Sequence, residues 1–262
     1  MSSQFSPQQI EAALRQNGVD WIKRPEYFES IDSSNDYLLG LSGSVHGRVC
    51  LCDFQTRGKG RRGKQWFSSA GANLMFSLGW APLLPLSSEI SLLVGVALAD
   101  ALKNLGVEGV GLKWPNDIVV NECKLAGVLI ESRIRGENVE LVMGIGVNVR
   151  HQAADLSQVE RSWTDLAKLG FENIDRQRVL MAVLTGLARR IEQFQELGFE
   201  PVRQDWLAYH AYQGVKMSYQ HQSETRTGTV IGLDAMGALV LESDGMRVTV
   251  NSGEVNSLRA AP

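Results

Sequence analysis

The chain has 262 residues, 44% of them hydrophobic and 21% charged, with a formal net charge of −3. That balance suits a soluble globular protein with one large unit and a small one, and it provides no overall basic field for nucleic acid. No apolar run approaches the roughly 20 residues that cross a bilayer, and no basic-then-apolar leader opens the chain, so the expected compartment is the cytoplasm. Cys50, Cys52 and Cys123 are an odd, scattered set, and the histidines lie apart at His46, His151, His210 and His221. Neither a disulfide framework nor a zinc site is expected.

Ser6-Pro7-Gln8-Gln9 opens a helix, with Ser at the cap and Pro in the first turn, that runs through Ile10, Ala13 and Leu14 to Asn17-Gly18. One helix is not a helix-turn-helix domain, so sequence-specific DNA binding is not expected. Phe28 to Ile31 reads as a short strand. The polar cluster Asp32-Ser33-Ser34-Asn35-Asp36 then makes a turn and cap for a helix beginning at Tyr37. Hydroxyls and amide N–H groups at a helix start can also bind a neutral polar ligand.

Between strands at Val49–Phe54 and Asn73–Leu78 lies Gln-Thr-Arg-Gly-Lys-Gly-Arg-Arg-Gly-Lys-Gln-Trp, Gln55 to Trp66. Gly58, Gly60 and Gly63 permit turns and close approach of a ligand to the main chain. Arg57, Lys59, Arg61, Arg62 and Lys64 gather charge that calls for an anion. Gly58 to Gly63 spells GxGxxG, but no apolar-periodic helix follows and no acid stands about 20 residues on, so a dinucleotide fingerprint is refused. Gly58 to Lys64 spells GxxxxGK, but Gln65 stands where a P-loop needs Ser or Thr. The stretch reads as a phosphate clamp of another kind, and its like charges and glycines predict a loop that an anion would order.

Ser87 or Ser88 caps a core helix from Glu89 to about Leu105. In Lys113-Trp114-Pro115-Asn116-Asp117, Pro115 separates two strands and leaves Asn116 and Asp117 at the break, where Asp117 is either a hard-oxygen ligand or an Asx turn. Asn121-Glu122 turns into a strand from Lys124 to Glu131, and Gly136-Glu137-Asn138 returns it as Val139–Val149. Gly144 and Gly146 inside that strand mark close approach of a ligand or another backbone. His151 to Arg161 reads as an irregular loop. Asp175 caps a helix to about Leu197, and Pro201 starts a shorter one carrying Trp206 and Tyr209. From Gly214 the texture becomes short strands (Val215–Tyr219, Thr225–Leu233, Ala238–Glu242, Met246–Val250), which predict a small barrel-like β domain.

Taken together, Ser33-Ser34-Asn35, the Gln55–Trp66 loop, Lys113-Trp114-Pro115-Asn116-Asp117, Lys124-Leu125-Ala126-Gly127 and Gly144-Ile145-Gly146-Val147-Asn148 resemble the biotin–protein ligases, from Phe28 to Arg259. The resemblance implies an α+β fold: a class II aminoacyl-tRNA synthetase-like catalytic domain with a mixed sheet, residues 1–212 with a helical extension at 1–25, followed by an SH3-like β-barrel at 213–262. It implies two half-reactions, formation of biotinyl-5′-AMP from biotin and ATP and then transfer of biotin to one lysine of a biotin carboxyl carrier protein.

On this resemblance Ser33, Ser34, Asn35 and Gln55 line the biotin pocket, and Lys59, Gly60 and Arg61 close over biotin and the adenylate phosphate. Lys124 reaches both the carboxylate and the α-phosphate. Arg61, Trp66, Asn116 and Asn148 belong to the ATP and adenylate end. Asp117, counted with Arg61 and Lys124 as catalytic, either helps place Mg2+ or receives the incoming lysine. The implied partners are biotin, ATP and the carrier, without membrane or DNA, and a homodimer stays open.

Two departures stand out. Arg57 and Lys59 occupy positions where the family pattern more often reads Ala and Arg, which keeps charge but loses one planar fork. The short first helix also leaves no winged-helix domain, so a repressor role is not expected. The rival readings are a lipoate or octanoate ligase or transferase with the same catalytic fold, and a non-catalytic biotin or nucleotide sensor.

Overall fold

The computed structural model describes residues 5–82, 89–150, 162–221, 224–251 and 255–260. The cap expected at Ser87 or Ser88 and the loop expected at His151–Arg161 lie outside them. Helix α1 spans Pro7–Gln16, strand β1 Pro25–Ile31, helix α2 Ser34–Leu39, β2 Val49–Gln55, β3 Asn73–Trp80 and helix α3 Glu89–Asn104. Strands β4 (Val110–Lys113), β5 (Asp117–Val120), β6 (Cys123–Arg135) and β7 (Asn138–Asn148) follow, then helices α4 (Arg176–Leu197) and α5 (Glu200–Tyr209). The chain continues in β8 (Lys216–His221), β9 (Glu224–Leu233), β10 (Leu239–Ser243), β11 (Met246–Val250) and β12 (Val255–Ala260).

Seven strands form one mixed sheet in the order β1-β2-β3-β7-β6-β5-β4, in which only the β1–β2 pair is parallel. Strand alternation sorts its residues onto two faces. Leu74, Phe76, Leu78 and Trp80 of β3, with Leu141, Met143, Ile145 and Val147 of β7, join the main core with α1, α3, α4 and α5. Helix α2 packs on the opposite face, in a small cluster of Leu38, Val45, Cys50 and Val142. Among the described residues that second face carries no long helix.

The second sheet runs β11-β10-β9-β8-β12 and is antiparallel throughout, which agrees with the all-β texture expected after Gly214. Its apolar face does not form a core of its own. Met217, Val230, Leu239 and Leu241 belong to the same cluster as α3 and α5, and the Trp114 indole N–H donates to the Gly237 carbonyl at 3.1 Å.

Several local expectations are corrected. Ser6 sits at the cap of α1, but its side chain makes no cap bond. Helix α2 begins at Ser34 rather than Tyr37, because the Ser33 Oγ accepts from the Asp36 N–H at 3.3 Å and so sets the helix start earlier. β12 was not foreseen: Val255 and Leu258 break the period of two, and the pairing with β8 shifts register between those residues.

One buried ion pair holds the turn after α2. Arg133 on β6 donates to Glu140 on β7 at 2.7 and 2.9 Å, and to the carbonyls of Leu39 and Leu41 at 2.8 and 2.5 Å. Glu140 is 2% exposed and takes the Ser44 hydroxyl at 2.5 Å and the Val45 N–H at 3.3 Å. Burial works to raise the Glu140 pKa, yet Ser44, Arg133 and Val45 outweigh it and hold the carboxyl below its ordinary value. A depressed folded pKa stabilises at pH above the ordinary carboxyl range and loses that contribution as pH falls through the folded value. Glu140→Gln should therefore cost about 2 kcal/mol at pH 7. In urea unfolding the gap to the unsubstituted chain should close on acidification below pH 4.5.

Candidate functional site

The open face of the large sheet is floored by glycines where other strands would carry side chains. Ser77 of β3 pairs with Gly144 of β7, which pairs with Leu129 of β6; one row along, Met75, Gly146, Gly127 and Asp117 run across β3, β7, β6 and β5. A Cβ on Gly144 would sit 2.4 Å from Asn35 Oδ1, and one on Gly146 2.5 Å from the Trp66 ring. A Cβ on Gly127 would meet Lys124 Nζ at 2.9 Å and Trp66 at 3.1 Å. The close approach expected at the glycines of β7 is thus made by side chains of the site itself.

On the first row stands a polar socket. The Ser34 backbone N–H and hydroxyl both donate to Gln55 Oε1, at 2.8 and 3.1 Å. Ser77 Oγ lies 2.6 Å from Asn35 Oδ1 and 2.7 Å from Ser34 Oγ. Its single proton goes to the Asn35 carbonyl, which can only accept. Asn35 Nδ2 donates to Glu131 Oε2 at 2.8 Å. Ser33, Ser34, Asn35 and Ser77 are all buried, so the socket is neutral, oriented and largely dry.

On the second row lies a cationic edge. Trp66 rests on Gly146 and Gly127, with Lys124 Nζ 5.4 Å from its ring centroid. Lys124 Nζ donates to Asp117 Oδ1 at 2.5 Å, and Asp117 is 9% exposed. Burial first, then repulsion from Arg62, press the Arg61 guanidinium below its ordinary pKa against the pull of Asp117, which places Arg61 within the field of this edge. The Trp66 indole nitrogen is buried with no hydrogen-bond partner. Such a donor is costly to leave unmade.

The remaining expected residues are placed as follows. Asn116 Nδ2 donates to the Val128 carbonyl at 2.7 Å. Asn148 Nδ2 donates to the carbonyls of Lys124 and Thr164 at 3.2 and 3.0 Å. Both amides therefore brace the strands that carry Asp117 and Lys124. The Gln55–Trp66 loop folds back on itself: Trp66 N–H donates to Gly58 O at 2.9 Å, Gly60 N–H to Lys64 O at 2.6 Å, and Arg61–Gly63 forms a single 3-10 turn. The reversal falls at Arg62 and Gly63, both at positive φ, while Gly60 is extended and stands beside Lys59, which meets Asp36.

Three contributors had no role in the sequence reading: Ser77, Glu131 and Asp36. Ser77 carried a usable signal, a lone hydroxyl within an otherwise apolar strand. Among the described residues no group of three or more His, Cys, Asp or Glu side chains could hold a metal ion, and no helix is long and apolar enough to cross a membrane.

A mixed sheet with helices massed on one face and a polar, cation-edged pocket on the other defines a synthetase-like ligase of the α+β class. Residues 27–148 match the Biotin/lipoate A/B protein ligase family and residues 213–256 the Biotin protein ligase C terminal domain; the chain belongs to that family. It is similar to the bifunctional ligase/repressor BirA of Escherichia coli, 34% identical over 237 residues that cover 88% of this chain and 73% of that protein. The biotin–[acetyl-CoA-carboxylase] ligase of Paracoccus denitrificans is 32% identical, with 86% of this chain and 96% of that protein covered. Among solved structures, the biotin protein ligase from Aquifex aeolicus in complex with biotin and ATP is 28% identical, with TM-score 0.81 over 91% of this chain and 100% of that one.

Because the glycine floor leaves no room for a methyl group, Gly146→Ala should displace Trp66 while the sheet still folds. The expected loss in binding of biotinyl-5′-AMP is about tenfold or more by titration calorimetry, with the far-ultraviolet circular dichroism unchanged.

Proposed function

We propose that this chain is an ATP-dependent biotin–protein ligase that activates biotin as biotinyl-5′-AMP and passes it to a lysine of a biotin carboxyl carrier protein. The observation that carries the reading is the adjacency of a neutral, pre-oriented socket and a cationic edge on one glycine floor. A ureido head group needs fixed donors and acceptors, which Ser33, Ser34, Asn35, Gln55 and Ser77 can offer. Its carboxylate would then lie toward Lys124, at the edge where an α-phosphate must also sit.

In the first half-reaction a biotin carboxylate oxygen attacks the α-phosphorus, and the bond from that phosphorus to the pyrophosphate oxygen breaks. Two anions must meet, so the chain contributes mainly positioning and fixed positive charge. Lys124, oriented by Asp117, faces both reactants, and Arg61 adds charge over the phosphate. Trp66 supplies a ring and a buried indole donor at the adenylate end, where Asn116 and Asn148 hold the backbone in place. In the second half-reaction a neutral lysine amine attacks the acyl carbon, and the bond to AMP breaks.

Asp117 already accepts a lysine ammonium, from Lys124. That favours a role in orienting amines, both Lys124 and the incoming one. Mg2+ fits here only as an ion carried by the ATP phosphates, to which Asp117 can add one hard oxygen; bound, it would neutralise phosphate charge. Residues 1–212 would form the catalytic unit and 213–262 the C-terminal unit.

Pyrophosphate exchange into ATP should be driven by biotin, and not by lipoate or octanoate, in the absence of any acceptor protein. Exchange with octanoate or lipoate instead would assign the chain to the sister activity, and none with any acid to a sensor. Lys124→Met, which keeps the stem and removes the charge, should lower the exchange rate about 10²–10³-fold.

A further inference from the structure

Five cations crowd the Gln55–Trp66 loop, and acids outside it oppose Arg57 and Lys59. Arg57 pairs with Asp32 and Lys59 with Asp36. These two acids bracket Ser33-Ser34-Asn35, the segment that forms the polar socket. At the first contact the loop is also zipped to the turn before α2: Arg57 N–H donates to Asp32 O and Thr56 N–H to Ile31 O, both at 2.9 Å, and the Thr56 hydroxyl donates to Asp32 Oδ1 at 2.6 Å.

The second contact lies farther along the loop. Lys59 Nζ meets Asp36 Oδ1 and lies 4.0 Å from Glu131 Oε1. The other Glu131 oxygen holds Asn35 Nδ2 at 2.8 Å. A continuous chain therefore runs Asp36–Lys59–Glu131–Asn35, joining helix, loop and sheet around one side of the socket. The hydrogen bond to Asp36 raises the Lys59 pKa, so the ammonium stays charged across the working range. The geometry occupies Lys59 with carboxylates rather than aiming it at a phosphate.

We infer that Asp36 is a positioning residue: through Lys59 and Glu131 it latches the glycine-rich loop across the socket before any anion arrives. This rests on the ligase reading for its kinetic consequence, but the latch itself is a property of the unliganded chain. The latch and a loop kept open by its own like charges make opposite predictions for amide exchange without ligand. It acts on substrate capture, since Asp36 touches the loop and not the reacting atoms.

The test uses Asp36→Asn in the full chain. The substitution removes the charge without disturbing the start of α2, because the cap bond to Ser33 runs through the Asp36 backbone N–H. Without ligand, amide exchange at Gly60 and Trp66 should quicken about threefold to fivefold, the range an exposed pair can supply. The KM for biotin in pyrophosphate exchange should rise by a similar factor with kcat little changed. High salt should quicken amide exchange more in the unsubstituted chain than in the variant.

Unchanged amide exchange in Asp36→Asn overturns the latch. A chain that shows no biotin-driven pyrophosphate exchange overturns the ligase reading instead, and the amide exchange still decides the latch.

Discussion

The site depends on the space left by three missing methyl groups. Gly127, Gly144 and Gly146 lie on adjacent strands and the same face, and at each a Cβ would stand within 3.0 Å of a site side chain. The floor lets an indole lie flat against the backbone and lets Asn35 reach down to the sheet. Glycine in a strand weakens it, so these positions cost local stability. The interior position of β6 and β7, with β3 and β5 on either side, offsets that cost by supplying hydrogen-bond ladders along both edges of the pair. The floor is central because only a central strand pair can tolerate it.

Around this floor two kinds of polar chemistry are kept apart. The socket atoms are neutral and held in fixed donor–acceptor pairs, Ser34 to Gln55 and Ser77 to Asn35. The charged atoms of Lys124 and Asp117 lie along the neighbouring row, and Arg61 feels the Asp117 charge from the loop. A neutral head and an anionic tail can therefore be recognised by different physics within one pocket. Hydrogen-bond geometry selects the head, and Coulomb attraction draws the tail to the place where a phosphate must also come.

Much of this was legible in the sequence, for specific reasons. The cationic loop was visible because three glycines and five cations cannot pack, and the glycines of β7 because they interrupt an apolar strand. Asp117 and Lys124 were visible as charges at the ends of short apolar segments. What stayed hidden depends on tertiary pairing. Nothing local to Glu131 or Asp36 says that each will meet Lys59, since those contacts join residues 23 or more positions apart. The start of α2 was misjudged because a run of polar residues reads as turn until the Ser33 cap bond is seen. β12 escaped because a shift in its pairing breaks the alternation that identifies strands.

The shared core of the two sheets has a consequence for how the small sheet matters. Trp114 is buried, its indole is tied to the Gly237 carbonyl, and Leu92 of α3 and Phe199 close on the same glycine. Two residues beyond Trp114 the chain reaches Asn116 and Asp117, the start of the charged row. The small sheet is thus a buttress: part of its packing bears on the indole beside the strand break that carries the site. A chain shortened before Gly214 would lose more than an appendage, because that indole would lose both its acceptor and the apolar residues that share its core.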